Sequence, residues 1–199
     1  MKRFFFLSLI VLLIAFFALF CYAKIEKEKI ASSLLRLHVV GESDSSYHQE
    51  LKLKVRDAVL NEAEVLFANV KNKKDAMDIA KRNEERLEKV AEQCLRAEGC
   101  TSDVTVNVEK SLFPLKTYGD VRLPEGLYDS LNVKIGKAEG ANWWCVMYPA
   151  LCFSDGVTAE VSPEGKKALI KELGKEHFLL ITDTKDAKIR IKFKILELF

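Results

Sequence analysis

Net charge is nearly absent from this chain of 199 residues, in which 31 Lys and Arg stand against 29 Asp and Glu. Lys2 and Arg3 are the only charges before Lys24, so the remainder is balanced. A balanced surface offers no general footprint for a phosphate backbone, which excludes a sequence-independent nucleic-acid binder and argues against acidic substrates. Histidine is scarce as well. His38, His48 and His177 lie far apart and no C-x₂₋₄-C pair exists, so no metal site is expected. Neither G-x-x-x-x-G-K-[ST] nor G-x-S-x-G occurs, which removes the phosphate loop and the nucleophile elbow. With no cofactor motif, internal repeat or low-complexity linker, the chain reads as one domain without a cofactor.

What it does have is a long apolar start. Phe4 to Ala23 is broken only by Ser8 and follows Met1-Lys2-Arg3. This is the pattern of a segment addressed to a membrane, with the basic end left in the cytoplasm and the rest carried across. About 20 residues just span a bilayer, while Cys21-Tyr22-Ala23 offers small residues where a signal peptidase would cut. A cleaved signal and a retained membrane anchor over residues 1–23 both fit. Residues 24–33 read as a polar linker and 34–199 as a single extracytoplasmic domain.

Beyond Cys21 the cysteines are Cys94, Cys100, Cys145 and Cys152, an even number in a chain bound for a disulfide-permissive compartment. Four cysteines allow three pairings, of which the local bridges 94–100 and 145–152 are the simplest.

Along the domain, Leu34 to Val40 reads as a strand running into the turn 41–46. Ser46-Tyr47-His48-Gln49 has the form of a capping box, and Leu51, Val55, Val59 and Leu66 continue at helical spacing. A second helix follows, capped by Asp75 and stopped by Gly99, with its charges on a solvated face. Val104, Val106 and Val108, then Leu131, Val133 and Ile135, alternate as strands. Leu123-Pro124-Glu125-Gly126, lying between those strands, predicts a tight turn that pairs Val121 to Leu123 with Leu127 onward as a hairpin. Ser162-Pro163 opens a further helix, and Ile189 to Ile195 alternate in a last strand. The fold class is α/β, with α+β as the alternative: one mixed sheet and two long helices after the first strand.

Three groups could carry function. His38 with Ser43, Asp44, Arg56 and Asp57 could cluster at a strand end, as a base beside a turn serine or as helix caps and a local ion pair. Residues 142–153 hold Trp143 and Trp144 with two cysteines, dense enough for a contact surface or for core. Lys116 to Asp120, including Tyr118 and Gly119, reads as a surface turn.

Taken together, Leu35-Arg36-Leu37-His38-Val39, Ser43-Asp44-Ser45, Leu51 to Asp57, Thr117-Tyr118-Gly119, Leu123 to Tyr128, Asn142 to Val146 and Leu151-Cys152-Phe153 resemble the stage II sporulation protein R family. Three positions depart from it: Gly41-Glu42 replaces the usual Ala-Asn, and Ala150 the second proline before Leu-Cys. The resemblance implies a non-enzymatic protein secreted by the forespore into the space between the sporulation membranes. There it would trigger a membrane-embedded aspartyl protease that processes the precursor of the early mother-cell sigma factor. His38, Ser43, Asp44, Arg56, Asp57, Tyr118, Gly119, Trp143 and Trp144 are then expected to bind that partner. The competing expectation is a secreted hydrolase or wall-binding module using Cys145 or the tryptophan pair.

Overall fold

A computed structural model describes residues 2–151 and 161–182. Its centre is a mixed four-stranded sheet of β1 (Leu35–Val40), β2 (Val104–Phe113), β5 (Gly126–Ile135) and β6 (Asn142–Tyr148), in the order β2-β5-β1-β6 among the described residues. β1 runs parallel to β5 and antiparallel to β6, while β2 and β5 are antiparallel over ten residue pairs. β3 (Lys116–Tyr118) and β4 (Val121–Leu123) form a separate hairpin. This is the mixed α/β domain expected from the alternating patterns.

Side chains alternate across a strand, and the register sorts them into two layers. Leu35, Leu37 and Val39 face the same way as Leu131, Val133, Val106 and Cys145. That face is closed by α2 (Ser46–Phe67), α3 (Lys73–Arg82) and α4 (Glu84–Ala97), which bring Val55, Val59, Ala63, Ala76, Ala80, Leu87 and Ala91 into one buried cluster. The opposite face is covered over part of its length. Ile30 and Leu34, the β3–β4 hairpin, α5 (Pro163–Leu173) and α6 (Lys175–Leu180) pack there around Phe113, Tyr128 and Val146.

Several boundaries differ from the sequence reading, each for a local reason. Residues 24–32 are not a linker. α1 runs unbroken from Lys2 to Ser32, with Ala23, Glu26, Ile30 and Ala31 buried along one stripe. The first cap is Ser45, one residue earlier than expected, because its Oγ accepts from His48 N. The second long helix is split at Asn83, and Asn72 rather than Asp75 caps its first half through a 2.9 Å bond from Asp75 N. Gly99, at φ +73°, ends it, with Cys100 N reaching Leu95 O and Gly99 N reaching Arg96 O, the paired bonds of a left-handed cap. Pro124-Glu125 makes no hairpin: β4 pairs with β3, and β5 turns instead into the main sheet. Ser162 and Pro163 open α5 as expected, with Ser162 Oγ accepting from Gly165 N. The expected last strand at 189–195 lies outside the described residues.

The charges of the split helix do more than face solvent. Glu88 and Glu84 on α4 accept from Val106 N and Val108 N, backbone donors on the outer side of β2. Those carboxylates occupy donors that would otherwise invite another strand.

Candidate functional site

The row on the half-covered face begins with Trp144, opposite His38 on β1, which lies opposite Asn132 on β5, itself opposite Asn107 on β2. The His38 and Trp144 rings stack with centroids 3.8 Å apart, and Phe113 meets both from the covered side. Asn132 is buried. It gives its amide N–H to Ser130, which leaves its Oδ1 to face Ser111 Oγ and His38 Nδ1 at 2.9 Å. His38 therefore carries its proton on Nδ1. Burial holds the ring below the usual histidine range, against the opposing pull of its Asn142 and Asn132 hydrogen bonds. Nε2 lies 2.7 Å from Oδ1 of the exposed Asn142 side chain, at the rim of the row.

One row toward the core lies Arg36, fully buried. Its Nε donates to Cys145 O and its Nη2 to Tyr118 Oη, both at 2.8 Å, and its guanidinium sits 4.3 Å from the Phe113 ring centre and 5.0 Å from that of Tyr128. Nη1 has no partner and Arg36 makes no salt bridge among the described residues, so aromatic faces and two oxygens stabilise its charge. Burial raises Tyr118, and raises Tyr128 to about 12, so both hydroxyls keep their protons. Tyr118 Oη in turn donates to Trp144 O at 3.1 Å. Arg36 and Tyr118 thus tie the β3 hairpin to the strand that carries both tryptophans. Arg36 lies within the Leu35-Arg36-Leu37-His38-Val39 motif, but an arginine in an alternating strand carries no sign of being buried, and only the register reveals it.

Beyond this row the face opens to solvent. Glu109 and Lys134 bridge β2 and β5 at 3.0 Å with both side chains partly exposed, and Thr105 and Asn142 are exposed at the rim. Asn107 Oδ1 is buried without a partner among the described residues.

The remaining candidates fall elsewhere. Trp143 points to the opposite side from Trp144, where the Arg56 guanidinium lies 4.2 Å from its ring centre and Arg56 Nε donates to Asp57 at 2.7 Å. Lys52, one turn before Arg56, donates to Ala141 O at 2.9 Å; burial and the Arg56 charge lower its pKa. Ser43 Oγ meets His48 Nδ1 at 2.7 Å and not His38, and Asp44 accepts from Ala141 N. Gln49 donates to Ser43 O, and Gly140 N donates to Gly41 O. A Cβ on Gly140 would come within 2.4 Å of Ser43 O, so only glycine permits that approach. Glu42 is held by Ser102 Oγ beneath Gly136, with His48 Nε2 3.8 Å away. Gly119, at φ +63°, makes the β3–β4 turn. The turn serine and His38 therefore belong to two separate networks, and the tryptophan pair is divided between two layers.

Cys94 and Cys100 are free, which removes the 94–100 bridge: Cys94 lies on α4, whereas Cys100 has passed the helix cap and donates to Ser102 Oγ. Cys145 is disulfide-bonded, and Cys152 lies outside the described residues.

The model of the stage II sporulation protein R family matches residues 31–158, and so takes in the β1 row, the Ser43 turn and the whole of β6. The stage II sporulation protein R of Bacillus subtilis (strain 168) is 32% identical over 148 residues, covering 73% of this chain and 66% of that protein. The match thus spans just under two thirds of the relative's length. No solved structure matches the chain. The chain belongs to the stage II sporulation protein R family.

Proposed function

We propose that this protein is an exported signal of endospore formation. Made in the forespore, it acts in the space between the two sporulation membranes on a membrane-embedded aspartyl protease, which then processes the precursor of the early mother-cell sigma factor. The family membership and the apolar N-terminal helix support export and sporulation as the setting. The observation that carries the reading is the Trp144–His38–Asn132 row, which leads from a buried polar network to the exposed Thr105, Glu109 and Asn142, on a sheet whose other side is closed by three helices.

An activator must bind the partner's active arrangement better than its resting one, and that difference is largest when its own surface is already ordered. Arg36, Tyr118 and Asn132 supply that order by fixing β1, β5, β6 and the β3 hairpin to one another. The hydrolase alternative finds less support. Cys145 is bonded and packs with the helix-covered cluster, while Ser43 is committed to His48.

The test is reconstitution in a non-sporulating bacterium that makes the matching protease and its sigma-factor precursor. The full chain should cause processing, and a chain lacking residues 1–23 should not. Absence of processing with a folded, exported chain would refute the reading.

A further inference from the structure

The outer edge of β2 is closed over only part of its length. Alternate residues of a strand turn both N–H and C=O to the same side, and Val106 and Val108 face outward, because their N–H groups reach Glu88 and Glu84. Lys110 and Leu112 therefore face outward too, and among the described residues no hydrogen bond reaches their main chain there. Pro114 follows the strand and has no N–H to offer. The open window is thus residues 109–113, bracketed by a guarded donor on one side and a missing one on the other.

The side chains of the window are uncovered as well. Leu112 is 75% exposed and its neighbour on β5, Leu127, is 51% exposed, although both point to the side that the helices close elsewhere. The charges are already matched within the chain, Lys110 by Asp129 at 3.6 Å and Glu109 by Lys134 at 3.0 Å. The occupant that fits is an extended segment, apolar toward the helix side and without uncompensated charge.

We propose that this occupant is the same window of a second copy, so that β2 pairs with β2 and the two four-stranded sheets join into one. Such pairing across a two-fold axis is antiparallel, and outward residues must oppose outward residues. Lys110 against Lys110 would set Leu112 against Val108, whose donor Glu84 already holds. Leu112 against Leu112 would set Lys110 against Pro114, which has no donor. Only Lys110 against Leu112, with Ser111 on the axis, gives every outward group of the window a partner, in two pairs that each exchange two main-chain bonds. The two Leu112 side chains are then diagonal neighbours within reach of each other, and they cover Leu127. On the opposite side Ser111 meets Ser111 of the second copy, and both Trp144–His38–Asn132 rows look the same way.

This pairing does not depend on what the domain activates. Directly opposed residues of a pair without mutual hydrogen bonds have Cα atoms about 4.5 Å apart, inside the span of about 4.4–6.8 Å that a disulfide bridges. Ser111→Cys in the full chain, expressed in cells, mildly oxidised and run on a non-reducing gel, should therefore trap a covalent dimer beyond any that the unaltered chain forms. Glu109→Cys stands opposite Phe113 of the second copy rather than its own counterpart, and should give about tenfold less dimer. Leu112→Pro removes only an outward donor, which an edge strand tolerates, and should abolish the dimer when added to Ser111→Cys. No dimer from Ser111→Cys, an equal yield from Glu109→Cys, or a dimer that survives Leu112→Pro would each overturn the proposal.

Discussion

The two faces of the central sheet are built from the same strands and differ in almost everything else. On one, Leu37, Val39, Leu131 and Val133 meet three helices in an apolar cluster, with the buried charges of Lys52 and Arg56 only toward β6. On the other, residues one position along the same strands are Arg36, His38, Ser130 and Asn132, polar side chains each held by hydrogen bonds. The first face gains stability from area removed from water. The second spends part of that gain on order, since each buried polar group there must keep its partner. The proposed function assigns the partner contact to the second face.

The sharpest way to break this comparison is to treat the faces alike. Leu37→Ala on the closed face should cost about 3 kcal/mol through lost burial and the cavity left behind. Arg36→Ala should cost a similar amount, about 3 kcal/mol, although it removes a charge, because Cys145 O and Tyr118 Oη lose their donor and the aromatic cage empties. Urea unfolding measures both, and a near-neutral Arg36→Ala would show that the second face is not held by its arginine. Gly140→Ala should cost about 2 kcal/mol by driving the Ser43 turn away from the loop after β5.

Much of this plan was legible in the sequence. Alternation gave the strands, helical spacing and caps gave α2 and α5, and the apolar start was plain. Where reading along the chain failed, the deciding contact was distant in sequence. Residues 24–32 look polar because only one stripe of them touches the domain. The hairpin at Pro124 was assigned from turn chemistry, whereas strand partners are set by the sheet. The site was half legible: His38 and Trp144 do meet, but Trp143 and Ser43 belong elsewhere, since neighbours on a strand point to opposite faces and no sequence pattern names the partner strand. Arg36 and Asn132 had no local signal at all.

A smaller effect separates the faces by pH. Because burial holds His38 below its ordinary value of 6.5, the folded form prefers the neutral ring and the unfolded chain binds the proton first. Stability is therefore full above 6.5 and falls as pH drops through and below it. His38→Gln should flatten that part of the pH profile of Tm, and an unchanged slope would remove His38 from the account. The smallest expected loss of stability is Trp144→Phe, which keeps an aromatic ring against His38 and Phe113 and should cost about 1 kcal/mol while weakening precursor processing. Equal processing by the folded variant would place the contact elsewhere.

The most direct measurement compares two exposed substitutions in the reconstituted processing assay. Thr105→Arg places a bulky charge at the rim of the open face, and Glu85→Arg places one on the exposed side of α4. Both should leave Tm within a few degrees of the unaltered chain. The account predicts that Thr105→Arg abolishes processing and Glu85→Arg leaves it intact. Normal processing by a folded Thr105→Arg protein, or loss confined to Glu85→Arg, would contradict the assignment of the open face as the signalling surface.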